Sequence, residues 1–148
     1  MSYHERNIVI YVITGIVVMA IYTLNIQGII EAGLLEGPDA GSTIGWSVIK
    51  LIGGSILATN VVTIIVTIIN AIITQETDVD TTDERDKQID LVGMKVAFIS
   101  FSVMFIGIFL GLMFGLTPAY ALVGMIYAMW FSSIIESAVR LYLYRRGF

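Results

Sequence analysis

The chain has no cysteine, one histidine and two prolines in 148 residues. Without cysteine there are no disulfides, thiolate metal sites, iron–sulfur clusters or cysteine nucleophiles. A lone His4 leaves too few imidazoles for a histidine-built zinc or haem site. Charge is scarce too. Asp, Glu, Lys and Arg make up 14% of the residues, against roughly 25% in a typical soluble domain. Such a chain lacks the solvated surface of a soluble enzyme or the polarity of a disordered tail. Its net charge of −4 argues against a nucleic-acid partner. What is abundant is apolar: 57% of the residues are hydrophobic. The composition is that of a small integral membrane protein.

Charges divide the chain into spans. Arg6 and Glu31 bracket 24 uncharged residues, Lys50 and Glu76 bracket 25, and Lys95 and Glu136 bracket 40. A hydrocarbon core of ~30 Å takes about 20 helical residues. The first two runs therefore supply one helix each, while the third would form a rod of ~60 Å at 1.5 Å per residue. Gly115-Leu116-Thr117-Pro118 breaks it, with glycine to end one helix, threonine to cap the next and proline for its first turn. The reading is an all-α polytopic membrane protein forming one domain, a bundle of four transmembrane helices at about 7–26, 43–74, 82–115 and 118–143. The first apolar stretch is too long for a signal-peptide core and leads into Ile21 and Tyr22, so it is read as an anchor. Tyr22, Trp46, Tyr120, Tyr142 and Tyr144 fall near expected interfaces.

Orientation follows from the basic residues. Arg6, Arg85, Lys87, Lys95, Arg140, Arg145 and Arg146 fall on one side of this layout, and Lys50 lies inside the second helix. Positive residues mark the cytoplasmic side, which puts both termini and the 75–93 loop in the cytoplasm. In the outer 27–42 loop, Ile29, Ile30, Leu34 and Leu35 have the spacing of a short interfacial turn or helix.

Three patterns could carry function. Asn60, Thr63, Thr67, Asn70 and Thr74 recur at helical spacing on one face of the second helix. They read as interhelical glue, with a solute or ion path as the alternative. Gly107, Gly111 and Gly115 step by four along the third helix, and Gly124 and Ala128 begin a similar ladder on the fourth. Small residues at that spacing predict close helix packing. Glu136 and Arg140 form an i,i+4 ion pair in the favoured order. Glu136 lies ~27 Å along the helix from Pro118, close to the cytoplasmic interface. That depth favours a structural pair over an intramembrane functional carboxylate.

Seven of the twelve acidic residues crowd into 75–90. Thr81 with Glu84 three positions on has the form of a capping box, predicting a helix start near 82. Asp78-x-Asp80 lacks the glycine and distal glutamate of a calcium loop. Asp83-Glu84-Arg85-Asp86 followed by Ile89 and an apolar span resembles the DERD-x-x-I juxtamembrane signature of uncharacterised small bacterial four-helix integral membrane proteins. The resemblance covers about residues 81–115. It implies a prokaryotic cytoplasmic-membrane location and supplies no catalytic or binding residues.

No nucleophile–base pair, facing carboxylates or phosphate loop is present. The sequence points to a non-catalytic protein without cofactor or metal. It is expected to act in the bilayer as a homo-oligomer or with another membrane protein. The alternative is a small oligomeric transporter or channel lined by the stripe of the second helix.

Overall fold

The computed structural model describes residues 3–74 and 83–146, all helix apart from two short connections and the cap at Asp83. The helices are α1 (Tyr3–Glu31), α2 (Ala40–Thr74), α3 (Glu84–Met113) and α4 (Pro118–Arg146). Each is long and apolar enough to cross a membrane.

Local chemistry sets the ends. α1 runs five residues beyond the expected 26 and takes in Ile29 and Ile30, because its first strong stop is Gly33. There φ is +68°, a conformation that glycine adopts without the usual Cβ penalty. Leu34 N–H reaches Ile29 O at 3.1 Å and Gly33 N–H reaches Ile30 O at 2.9 Å, a Schellman closure. The expected interfacial helix in 27–42 is therefore partly the last turn of α1. Leu35 then folds inward and is buried.

The α3–α4 connection repeats this device. Gly115 has φ +96°, Leu116 N–H reaches Gly111 O at 2.9 Å, and Gly115 N–H reaches Leu112 O at 3.2 Å. Pro118 opens α4, where its missing N–H costs nothing.

The start of α3 differs from expectation. The cap is Asp83, whose carboxylate accepts from Glu84 N–H at 2.6 Å, and Asp86 returns the bond to Asp83 N–H at 3.0 Å. Asp83 and Asp86 thus form the capping box two residues later than Thr81 and Glu84 would have done. Thr81 itself lies outside the described residues. A carboxylate also suits the positive end of the helix dipole.

The packing is open. α1, α2 and α4 meet one another, while α3 packs on α4 alone. The main core lies at the end away from the chain termini. Met19, Tyr22, Ile26 and Ile29 of α1 meet Ile44 of α2 and Val123 of α4 there, with Leu35 and Ala119. Tyr22, expected at an interface, is one of the most buried residues, and its ring lies 6.1 Å from that of Tyr127. Beyond Ser47 no described residue of α2 is buried. The later part of this 35-residue helix is covered on one side only, where Leu51, Ser55, Thr59, Thr63 and Val66 are half-buried.

Candidate functional site

Polar side chains join the helices at a few points. Ser47 donates to Asn25 Oδ1 at 3.0 Å, linking α2 to α1. Thr23 and Tyr127 share a hydroxyl–hydroxyl bond of 2.7 Å between α1 and α4. Trp130 Nε1–H donates to Gly15 O at 3.1 Å across the same pair of helices. Buried Ser132 of α4 donates to Ala97 O of α3. These side chains are the interhelical glue. Each bond gives a polar side chain a partner on a second helix.

The stripe expected to play that part does so only marginally. Asn60 and Thr67 are exposed and Thr63 is half-buried. Asn60 Nδ2 donates at 2.8 Å to Ile56 O of its own helix. Within the single chain Asn60 and Thr67 are not packed against a neighbouring helix, because the half-buried side of α2 runs through Ser55, Thr59 and Val66 and takes in only Thr63 of the stripe. Asn70 and Thr74 continue the register on α2, but their side chains lie outside the described set.

The glycine ladder is likewise redistributed. A Cβ on Gly107 would meet nothing within 4 Å, so no helix contacts that face. On Gly111 a Cβ would sit 3.2 Å from Leu116 Cδ2; this glycine accommodates the turn, not a helix. Gly115 serves the turn through its φ. Gly124 faces Ile108 of α3, 3.5 Å from an added Cβ, and Ala128 is buried. The tightest glycine is one that sequence spacing did not single out. A Cβ on Gly93 would lie 2.6 Å from Arg140 Nε and 2.8 Å from its Cγ.

Arg140 is the centre of the most organised charged group. Its Nη2 contacts Glu136 at 2.5 Å on the same helix, and its Nη1 contacts Asp90 of α3 at 3.0 Å. The pair expected within α4 is therefore a three-residue cluster that fastens α3. Asp90 was missed because it sits in the acidic segment, which reads as a solvated helix start. A geometric signal for it was nonetheless available: folding an antiparallel hairpin about 116–117 sets 93 opposite 140 and 108 opposite 125. Nearby, Tyr144 hydrogen-bonds Asp86, Arg85 donates to Tyr144 O at 3.3 Å, and Arg145 lies 4.0 Å from Glu5. Lys50 is exposed and pairs with none of Glu31, Glu36 or Asp39.

A cleft of about 530 Å³ runs between α1, α2 and α4. Ile126, Met129 and Trp130 line one stretch of it on α4, and Ser133, Glu136, Ser137 and Arg140 follow. Thr59 and Ser55 face it from α2 and Tyr11 from α1. Among the described residues no group of three or more His, Asp or Glu is placed to hold a metal ion. No family model, curated protein or solved structure matches the chain.

Proposed function

We propose that this is a non-catalytic membrane protein of the prokaryotic cytoplasmic membrane that acts through association, by means of the inner part of α2. The observation that carries this reading is the placement of Asn60 and Thr67 on a surface no helix of the chain covers. With Trp46 at the outer interface, Asn60 lies ~21 Å further along α2 and Thr67 ~31 Å, which sets Asn60 within the hydrocarbon. The amide of Asn60 gives one N–H to Ile56 O and keeps a further donor and its acceptor oxygen. In lipid these groups favour a polar partner, and a second copy of the same stripe supplies one, because an amide both donates and accepts. A two-fold pair of α2 helices is self-complementary in this sense.

The cysteine-free background permits a direct test in native membranes. Thr67→Cys should cross-link between copies with a short bis-maleimide, whereas Ile65→Cys, on the opposite face, should not. Asn60→Leu should weaken association about fivefold, the equivalent of ~1 kcal/mol for one intramembrane hydrogen-bonding side chain. Equal cross-linking at 65 and 67 would remove α2 from the interface. A channel lined by the stripe would need several copies around one axis; it predicts solute flux in liposomes that Asn60→Leu abolishes.

The cytoplasmic placement of the termini rests on the basic residues. Single cysteines at Ser2, Asp39 and Thr81 should differ in intact cells: an impermeant thiol reagent labels 39 and leaves 2 and 81 unlabelled. The reverse pattern would invert the topology.

A further inference from the structure

We propose that a groove between α1 and α2 seats one acyl chain of an anionic phospholipid, with the phosphate at Lys50. The groove has a volume of about 480 Å³, within the roughly 300–1,000 Å³ of small-molecule sites. Its register follows from the bond between Ser47 and Asn25. Helices joined by a short connection run antiparallel, so that bond sets Lys50 level with Tyr22, Gly54 with Val18 and Ala58 with Thr14. Lys50, Asn25 and Tyr22 therefore share one end of the groove, the end away from the chain termini. From Lys50 to Val62 the α2 wall runs ~18 Å, through Gly54 and Ala58. Ile13, Val17 and Ile21 line the α1 side and are exposed, which leaves the groove open sideways to the hydrocarbon. The occupant that meets such an opening is a lipid chain. Lys50, Gly54, Ala58 and Val62 lie on the side of α2 opposite Asn60 and Thr67, so the inference is independent of association through that stripe.

Charge decides the head. Among the described residues that line the groove, Lys50 alone is charged, so the lining carries +1. An ammonium donates hydrogen bonds and accepts none, and this one makes no ion pair or hydrogen bond among the described residues. Lys50 lies one turn, ~6 Å, deeper than Trp46, a depth from which its stem reaches the phosphate level. The acidic residues of this end stand further out. Glu31 is nine residues beyond Tyr22, ~14 Å along α1 and more than a Debye length at physiological ionic strength. Glu36 and Asp39 belong to the connection beyond it. Tyr22 adds a second, independent observation. It is 3% exposed, and its hydroxyl is buried with no hydrogen-bond partner, which costs free energy in an apolar interior. A phosphate oxygen at that end supplies an acceptor. No carboxylate lines the groove to hold the amino group of a zwitterionic head, so a lipid of net negative charge fits best.

The test titrates the full chain, in neutral maltoside micelles, with phosphatidylglycerol and with phosphatidylcholine of the same acyl chains. Native mass spectrometry counts the lipids retained per chain. The expected result is one retained lipid, with phosphatidylglycerol held at least fivefold more tightly than phosphatidylcholine. Lys50→Gln should remove that preference and Lys50→Arg should keep it. Lys95→Gln, which removes a cation outside the groove, should leave it unchanged. Gly54→Leu fills the groove at a position where an added Cβ meets nothing within 4 Å, and should cut retention of both lipids at least fivefold. Equal retention of the two lipids by the native chain overturns the proposal, as does a preference that survives Lys50→Gln. An equal loss in Lys95→Gln would reduce the effect to overall charge and overturn it too, and so would undiminished retention in folded Gly54→Leu. Should Gly54→Leu fail to fold, the Lys50 variants decide, since that side chain is exposed and its replacement leaves the packing intact. A second copy of the chain is the competing occupant. Disulfide-linked dimers of Ala58→Cys, together with no retained lipid on the native chain, would assign the groove to that copy and overturn the proposal.

Discussion

Replacing Gly93 by valine should destabilise the protein by about 2–4 kcal/mol, read as a fall in the melting temperature of the purified protein. A Cβ there would stand 2.6 Å from Arg140 Nε, 2.8 Å from Cγ and 3.2 Å from Cδ. Two of those separations are closer than real side chains tolerate, and the arginine cannot retreat freely because both terminal nitrogens are held by carboxylates. Overpacking of this kind costs roughly 1–3 kcal/mol, and displacing Arg140 adds the loss of its contact with α3. The helical preference of most residues over glycine, up to about 1 kcal/mol, offsets only part of this. The cause can be isolated. In an Arg140→Ala background the same change should cost under about 1 kcal/mol, because the three nearest atoms to the new Cβ belong to Arg140. A cost that stays the same in both backgrounds would assign the strain to the backbone. Gly107→Ala is the contrasting case. Its Cβ meets open space, and stability should hold or rise slightly.

Removing the arginine should act through charge. Arg140→Ala leaves Glu136 and Asp90 facing each other with nothing between them. Breaking a fully buried pair costs about 3–5 kcal/mol and an exposed one about 0–1 kcal/mol. Here the arginine and Glu136 are about a quarter exposed and Asp90 nearly half, so about 2 kcal/mol is the expected loss. Arg140→Lys should fall between, since an ammonium on a flexible stem does not reproduce the planar two-sided bridge. The triple change Arg140→Ala, Glu136→Gln and Asp90→Asn should recover much of the loss, because the uncompensated charges go with the arginine. Failure of that recovery would mean that Arg140 holds α3 through packing over Gly93 instead of through its ion pairs. High salt should narrow the differences among the variants, most of all for the contact with Asp90.

The sequence by itself determined the number of helices, their approximate extents and the glycine-terminated turn at Gly115; the stop at Gly33 emerged only in the folded chain. The features it determined are local. A charge-free run of sufficient length has one helical reading, and Gly115 occupies a position where φ must be positive. The contact between Glu136 and Arg140 is local too, set by one helical turn. The finer placement of the cap was not legible, because Thr81 and Asp83 both start valid boxes and only the folded backbone chooses between them.

Tertiary structure alone decided which faces are covered. In water an apolar stripe points inward, so its azimuth is written in the sequence. In lipid an apolar face is equally at ease against a neighbour or against acyl chains, and packing depends on shape and polar pairing. The regular spacing of Asn60, Thr63 and Thr67 therefore fixed a face without fixing what lies against it, and in the fold Asn60 and Thr67 on that face are exposed. The spacing of Gly107 and Gly111 was equally silent about azimuth; the close approach is at Gly93, where the α3–α4 hairpin brings Arg140 across. Its pairing with Asp90 joins residues fifty positions apart. It exists because a turn at Gly115 and Pro118 sets the register of two antiparallel helices.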